Sequence, residues 1–399
     1  MERGTGIDEG RAWVDMGLAA LAMFTVFATA YSFGTFVKPM AAEFHADRGG
    51  TAFVFGLTAF VYFMLGAVTG PLVQRVGPRR MLAFGGVVQV IGILSTSRVH
   101  SLAQAYVTYG LGVGIGVACG YVPMVAVVGG WFDRRRATAV GIAVSGIGVS
   151  SLVGAPLAAR LIKAYGWRQA YVVFAIATAL LMGISAVFIR QPPGFGGVPS
   201  FTLSSAIRTR KFALSYAGVL LGSIPLFSVF VNLVPYAEDH GIKKVTAATL
   251  LSIIGASSIV GRIGLSWLAT RLSTAVVYVS SFGAMALSQL IWLGAGSSYA
   301  VLALFCMIFG ASYGGFIALS PALLAEIFGA EQLGGLAGIN YSAAGFGALV
   351  GPAAGAWLVD ATGTYTLSIS LGCVFGIGAT TALLALTRSL SPSFATSAG

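Results

Sequence analysis

Long apolar runs alternate with short polar segments along the whole of this 399-residue chain. A helix of about 20 apolar residues is long enough to cross the hydrocarbon core of a bilayer. Each run is therefore predicted to be one transmembrane helix, and the runs are numbered here as spans 1 to 12. An even number of spans places both chain ends on one face of the membrane, called the terminus side; the other face is the opposite side. The predicted spans cover residues 16–37, 52–73, 81–97, 102–130, 137–162, 170–189, 212–236, 246–270, 274–294, 299–325, 334–358 and 365–387.

The longest polar interruption between spans runs from residue 191 to residue 211 and is rich in proline, glycine and basic residues. Pro and Gly break helices, and the charges favour water, so this segment is predicted to be a central cytoplasmic loop. It separates a first half, residues 1–190, from a second half, residues 212–399. Each half then contains six predicted spans.

The two halves share a sequence repeat. Residues 70–75 align with residues 266–271 at an offset of 196. Four glycines of the first half align with four of the second at an offset of 197, namely Gly141, Gly148, Gly154 and Gly166 with Gly338, Gly345, Gly351 and Gly363. The repeat indicates duplication, which many secondary transporters use to build a binding site at the bilayer midplane. We therefore predict an all-α membrane protein of two related six-helix halves.

Composition agrees with a lipid environment. Hydrophobic residues form 57% of the chain and charged residues only 9%, whereas a soluble domain carries about a quarter charged residues. The net charge of +11 does not indicate nucleic-acid binding, because the basic residues lie in short loops between apolar runs. Of 23 Lys and Arg residues, fourteen fall on the terminus side and eight on the opposite side, and Arg262 lies within a span. The positive-inside rule then predicts a protein of the cell membrane with both termini in the cytoplasm.

Several function classes are not expected. The cysteines lie in separate apolar runs, which predicts neither a disulfide framework nor a metal site. The glycines between Gly110 and Gly120 resemble a phosphate loop in pattern, but they fall within an apolar span, where small residues let helices approach closely. No Walker sequence, Ser/His/Asp cluster or metal-ligand spacing is visible in the sequence. We expect a protein that is not an enzyme, with no cofactor, metal or ATPase subunit.

Arg262 is the charged residue that the predicted spans place deepest in the membrane. All twelve acids and three histidines are predicted at span ends or in loops. An arginine at the bilayer centre costs about 2.5–3.5 kcal/mol on insertion scales, so such a residue usually faces a cavity. No acidic residue within the spans is available to pair with it, which favours a substrate carboxylate as its partner. The alternative is an arginine that extends to the cytoplasmic interface.

Other polar residues within the spans are candidate substrate contacts. A hydroxyl or amide there either faces the cavity or makes a hydrogen bond between helices, and the sequence leaves both alternatives open. Ser258 lies one helical turn before Arg262, on the same face. The remaining candidates are Tyr31, Tyr62, Tyr121, Asn232, Tyr313, Asn340 and Tyr341.

The segment Gly70–Arg80 reads Gly-Pro-Leu-Val-Gln-Arg-Val-Gly-Pro-Arg-Arg. It resembles the loop between helices two and three of the major facilitator superfamily, Gly-x-Leu-Ala-Asp-Arg-x-Gly-Arg-Arg/Lys. Gln74 stands where that family usually has an Asp that helps latch the two halves on the cytoplasmic side, so a weaker latch is expected. The resemblance implies a role in conformational gating for Gly70, Gln74, Arg75, Gly77, Arg79 and Arg80.

Two further segments resemble the same superfamily. Residues 132–136, Phe-Asp-Arg-Arg-Arg, look like its loop between helices four and five, which implies a gating role for Asp133 and Arg134. Residues 166–171 look like its turn between helices five and six. Together the segments imply the twelve-helix fold of that family and transport by alternating access.

Within the superfamily, the chain resembles the monocarboxylate transporters and the oxalate/formate antiporters. The resemblance rests on residues 120–123 with residues 130–137, on Arg262 in a Gly-Arg-Ile-Gly sequence, and on Tyr313. It implies that Arg262 binds a substrate carboxylate and that tyrosines line the cavity. Span 11 has no Lys or Arg where the oxalate antiporters use a second cation, so we expect a monoanion such as lactate or pyruvate.

Ser258 occupies the place where eukaryotic monocarboxylate carriers have an Asp one turn before the arginine. This difference predicts weak coupling to protons and leaves symport, exchange and facilitated transport open. Two other functions also stay open. One is an exporter of drugs or hydrophobic metabolites from the same superfamily, and the other is a membrane sensor that binds a metabolite without moving it.

Overall fold

The computed structural model describes residues 8–133, 135–193, 205–328 and 333–388. Its long elements are all helices. Span 1 is Gly10–Tyr31, continued by the 3-10 turn Phe33–Thr35 and the short helix Val37–Phe44. Spans 2 to 6 are Arg48–Val76, Pro78–Thr96, Leu102–Trp131, Arg136–Tyr165 and Trp167–Phe188. Spans 7 to 12 are Arg210–Asp239, Lys244–Ala269, Thr274–Leu293, Tyr299–Phe328, Leu333–Thr362 and Thr366–Arg388, with a 3-10 turn Ser205–Arg208 before them.

Eleven of the described helices are long and apolar enough to cross a membrane. The remaining predicted span is span 3, a helix of 19 residues whose first turn contains Arg79 and Arg80. The prediction of an all-α membrane protein with two six-helix halves is confirmed. The predicted central loop lies partly outside the described residues, because residues 194–204 are not among them.

The expectation that every acid lies at a span end or in a loop is wrong for Asp15. Span 1 begins at Gly10 rather than at residue 16, so Asp15 lies within the helix and is 0% exposed. Its carboxylate accepts hydrogen bonds from Arg11 Nε at 2.9 Å and from the backbone N–H of Arg190 at 2.7 Å. The paired charge is thereby satisfied, and it fixes the start of span 1 to the end of span 6.

The boundaries of the helices repeat the offset found in the sequence. Spans 5 and 11 are both 30 residues long, and each boundary of Leu333–Thr362 lies 197 positions after that of Arg136–Tyr165. Each of these helices is followed by a glycine with a positive φ, 81° at Gly166 and 72° at Gly363. Glycine has no Cβ and reaches this left-handed region without strain, so both helices end at the same kind of residue.

Small residues bring the two halves into close contact along two pairs of spans. A Cβ added to Gly148 of span 5 would lie 3.0 Å from the carbonyl oxygen of Gly255 in span 8. In the second pair of spans, a Cβ on Gly56 of span 2 would lie 2.7 Å from the carbonyl oxygen of Leu349 in span 11. In lipid, where the hydrophobic effect does not drive helices together, such close backbone packing is a main source of association.

Close packing also joins spans 8 and 10, directly beside Arg262. We expect Gly261→Ala to lower the melting temperature of the purified protein, because its Cβ would lie 2.0 Å from the carbonyl oxygen of Ala311. Overpacking of this kind costs about 1–3 kcal/mol. Gly264→Ala is the matched control on the same helix, since a Cβ there meets nothing within 4 Å. Equal melting temperatures for the two variants in detergent would contradict the packing described here.

Candidate functional site

Arg262 lies in span 8, seven positions before the end of the helix at Ala269, which corresponds to roughly 10 Å of helix. The residue is only 4% exposed. Its Nη1 donates a hydrogen bond of 2.6 Å to the backbone carbonyl of Val144 in span 5, across the contact between the halves. Its Nε and Nη2 are buried and have no hydrogen-bond partner among the described residues. Part of the guanidinium is therefore held by the protein, and one edge of it is left without an acceptor.

Within the described part of the chain, Arg262 has no carboxylate partner. None of the ion pairs between described residues includes it. Among all the described residues, Arg262 and Asp15 are the buried charged side chains, and Asp15 is already paired with Arg11. The described residues also include no group of three or more His, Cys, Asp or Glu that could hold a metal ion. Arg271, beyond the end of span 8, lies at the terminus-side interface beside Trp267.

Tyr313 adjoins the guanidinium and connects it to a tyrosine of the first half. The ring centroid of Tyr313 in span 10 lies 6.0 Å from the central guanidinium carbon of Arg262, at the limit of a cation–π contact. The hydroxyls of Tyr313 and Tyr31 are 3.1 Å apart, so one donates to the other across the two halves. Tyr31 also stacks on Phe230 of span 7 with ring centroids 4.5 Å apart. Span 1 and span 10 are thus joined beside Arg262.

The ring of Phe27 in span 1 contacts three tyrosines of the first half. Its ring centroid lies 4.9 Å from that of Tyr31, 5.8 Å from that of Tyr62 and 5.4 Å from that of Tyr121. The Tyr62 hydroxyl is buried without a partner among the described residues. A buried polar group of this kind is costly unless a ligand or water satisfies it.

Tyr121 owes its position to a break in span 4. Its dihedral angles of −105° and −80° interrupt the helix between Gly120 and Val122. Pro123 follows within the first turn of the next helical segment, where its missing N–H is tolerated. The break lets the Tyr121 ring pack against Phe27 while the polypeptide continues through the membrane.

The other residues predicted to contact substrate pack against, or form hydrogen bonds with, other groups of the protein. Tyr341 joins the cluster through Phe63, with ring centroids 6.4 Å apart. The Ser258 hydroxyl donates to the Gly255 carbonyl of its own helix at 2.8 Å. Asn232 donates to Ser228 and to the carbonyl of Pro352, which ties span 7 to span 11. Asn340 accepts from Ser215 at 3.2 Å, and its Nδ2 has no partner among the described residues.

The predicted gating residues lie at the terminus-side ends of the first half. Gly70 faces Val122, and a Cβ on it would lie 2.9 Å from that side chain. Gly77 has φ 86° and separates spans 2 and 3, while Arg79 Nε donates to the Ile189 carbonyl at 2.7 Å. The described residues provide no side-chain hydrogen bond or ion pair for Gln74, Arg75 or Arg80.

Asp133 is 82% exposed and lies 3.9 Å from Arg136, the first residue of span 5. Arg134 lies outside the described residues. The contacts of the gating residues that the structure describes therefore stay within the first half.

Three parts of the site were not predicted from the sequence. The acceptor for Arg262 is a backbone carbonyl, that of Val144, and a carbonyl has no sequence signature. Phe27 and Phe230 organise the tyrosines, yet phenylalanines are common throughout the apolar spans and nothing in the sequence distinguishes these two. Only the fold identifies them.

Comparisons with known proteins concern the family and the fold of the chain. The family model of the Major Facilitator Superfamily matches residues 19–276 and 265–398. The chain is 32% identical to monocarboxylate transporter 3 of Rattus norvegicus, over 92% of this chain and 78% of that protein. It is 29% identical to monocarboxylate transporter 12-B of Danio rerio, over 91% of this chain and 84% of that protein. Among solved structures, a mutant of the nucleoside transporter NupG is similar with a TM-score of 0.71 at 12% identity, covering 94% of this chain and 99% of that one, which is a likeness of fold alone.

Proposed function

The chain belongs to the major facilitator superfamily, and on this premise we propose that it moves a small monocarboxylate, such as lactate or pyruvate, by alternating access. One observation carries the proposal. Arg262 is buried at the contact between the halves, its Nε and Nη2 lack acceptors among the described residues, and none of the described ion pairs includes it. A substrate carboxylate supplies the missing acceptors. The similarity to monocarboxylate transporters 3 and 12-B supports the same substrate class.

The free edge of Arg262 suits a carboxylate. Nε and Nη2 lie side by side on the planar guanidinium and present two parallel N–H groups to two oxygens. The hydrogen bond from Nη1 to Val144 keeps that edge in a fixed orientation, so little further ordering is needed on binding. Because the guanidinium bonds span 5 while belonging to span 8, a carboxylate on it joins both halves and can bias their rocking.

The tyrosines are proposed to surround the rest of the substrate. Tyr313 adjoins the guanidinium and shares a hydrogen bond with Tyr31. The Tyr62 hydroxyl, which has no partner among the described residues, offers a hydrogen bond to a second polar group of the substrate. Tyr121 and Tyr341 extend the polar lining from the same aromatic cluster. We assign Ser258, Asn232 and Asn340 to the support of this lining, because their described hydrogen bonds go to protein atoms.

The orientation in the membrane is also part of the proposal. The excess of Lys and Arg on the terminus side supports cytoplasmic termini in the cell membrane. The substrate then reaches Arg262 from the cytoplasm when the halves separate on the terminus side, and from outside when they separate on the opposite side.

Removal of the guanidinium is predicted to abolish transport. In proteoliposomes, Arg262→Ala should lower the uptake of radiolabelled pyruvate by at least about 100-fold, because one charged bidentate contact and its orientation are lost. Arg271→Ala is the matched control, since Arg271 belongs to the same region of the chain but lies outside the buried site. Near-normal uptake by Arg262→Ala, at equal amounts of reconstituted protein, would refute the assignment of the site.

A single cation predicts a preference for monoanions. Span 11, Leu333–Thr362, has no Lys or Arg to balance a second carboxylate. Wild-type protein should therefore carry lactate or pyruvate and should discriminate by at least about 10-fold against oxalate, whose second charge would be desolvated without a partner. Counterflow against a panel of labelled acids measures this ratio. Transport of oxalate without any monocarboxylate would contradict the proposal, and transport of neutral toxic compounds alone would favour an exporter.

Proton coupling is predicted to be weak. Ser258 stands one turn before Arg262, and the buried acid among the described residues, Asp15, is paired elsewhere. A membrane carboxylate that takes up and releases a proton in each cycle is therefore absent from the described site. Pyruvate uptake should change by less than about threefold when a gradient of one pH unit is imposed at constant total pyruvate, since a tenfold change would need full coupling. A tenfold response would require a proton-carrying group at the site.

A further inference from the structure

Ion pairs join the two halves at the opposite side of the membrane. Lys38 Nζ lies 2.6 Å from Asp239 and 3.5 Å from Glu238, at the end of span 7. Arg48 Nη1, at the start of span 2, lies 2.5 Å from the same Asp239, and Arg48 Nε lies 3.7 Å from Asp360. Both cations belong to the first half and the three acids belong to the second. We call these five residues the opposite-side latch.

Hydrogen bonds from uncharged donors to the carboxylates reinforce the opposite-side latch. The Tyr365 hydroxyl donates to Asp239 at 2.7 Å, and the backbone N–H of Arg48 donates to Asp360 at 2.8 Å. The charged side chains are 16% to 34% exposed, so water screens them only partly. An ion pair that is partly buried and held by several hydrogen bonds contributes more than an isolated surface pair.

Backbone packing closes the same side. Gly34, after span 1, lies so near to span 7 that a Cβ on it would be 2.7 Å from the carbonyl oxygen of Phe230. Trp357 of span 11 donates its Nε1–H to Asp47, before span 2, at 3.1 Å. The halves therefore touch from the depth of the Tyr31–Phe230 stack out to the surface.

On the terminus side, none of the described ion pairs joins the two halves. Basic residues predominate there on both halves, with Arg75, Arg79 and Arg80 on the first and Arg208, Arg210 and Arg271 on the second. The acid Glu326 bonds to Thr274 within the second half. Like charges oppose closure on that side, while opposite charges favour closure on the other.

From this asymmetry we propose that the opposite-side latch sets the resting orientation of the empty carrier, closed on the opposite side, and that Asp239 is its central positioning residue. Asp239 accepts from Lys38, Arg48 and Tyr365, and so it links both cations to the second half. The inference requires alternating access, but it is independent of the substrate that the carrier moves. Its failure is therefore distinguishable from failure of the proposed function.

The test measures the separation of the halves without substrate. Spin labels are attached at Arg98→Cys and Ser297→Cys, exposed positions on the opposite side of the first and second halves, after the native Cys119, Cys306 and Cys373 have been replaced by serine or alanine. Pulsed electron paramagnetic resonance in nanodiscs gives the distance distribution. The wild-type background should show one predominant short distance. Asp239→Asn should raise the ratio of long to short distances by about tenfold or more, as expected for loss of charged hydrogen bonds.

Glu43→Gln is the matched control. Glu43 forms an ion pair of 2.7 Å with Arg168 on the same side, but both residues belong to the first half. Burial would raise the pKa of Glu43, yet hydrogen bonds from Arg168 and Trp167 hold it below the usual value, so the control also removes an ionised carboxylate. The distance distribution should stay as in the wild type. Asp239→Glu, which keeps the charge, should restore most of the short population.

Two results would overturn the proposal. One is an unchanged distribution in Asp239→Asn, and the other is an equal shift in Glu43→Gln. If Asp239→Asn does not yield monodisperse protein, Arg48→Gln tests the same link from the first half, with the same expected shift and the same contrary result.

Discussion

A guanidinium that is kept from water needs an acceptor for each of its N–H groups, and the site around Arg262 supplies them only in part. One nitrogen bonds the Val144 carbonyl, while Nε and Nη2 are buried without partners among the described residues. Burying a charge without full compensation is costly, and the cost is tolerated where function requires it. The proposed carboxylate follows from this incomplete solvation.

The scaffold makes the position of Arg262 possible through small residues. Gly148 and Gly255 let spans 5 and 8 approach until a side chain on one reaches the backbone of the other, and Gly261 packs span 8 on Ala311 of span 10. Larger residues at these points would move the guanidinium away from Val144. The duplicated halves supply the symmetric frame, whereas Arg262 has no counterpart in the first half, where Gly66 is the aligned residue. The proposed site thus belongs to one copy of a shared architecture.

The fold was largely predictable because lipid imposes a simple rule on sequence. Each span had to be apolar over a bilayer thickness, so the predicted helices match those observed, and even the short span 3 was recognised. Asp15 is a residue whose position in a helix could not be predicted from the apolar runs. A polar helical turn before an apolar run has no hydropathy signal, and only the fold reveals that Arg11 and the Arg190 backbone satisfy the carboxylate.

The site itself was predictable only in its chemistry. The position of Arg262 within an apolar span marked it as exceptional, and in the structure Tyr313 adjoins it and is hydrogen-bonded to Tyr31. The direction of the Asn232 and Asn340 side chains, the Val144 carbonyl and the pairing of Arg48 with Asp239 depend on helix rotation and on contacts between distant segments. Periodicity does not encode those contacts, because several rotations of an apolar helix bury similar surface.

The most direct test of the central claim is the binding of pyruvate to purified protein, measured by isothermal titration calorimetry in detergent at near-neutral pH. We expect saturable binding to the wild type and to Arg271→Ala, and loss of binding in Arg262→Ala at an unchanged melting temperature without ligand. Equal binding of pyruvate by the wild type and by a folded Arg262→Ala variant would contradict the role assigned to the buried guanidinium.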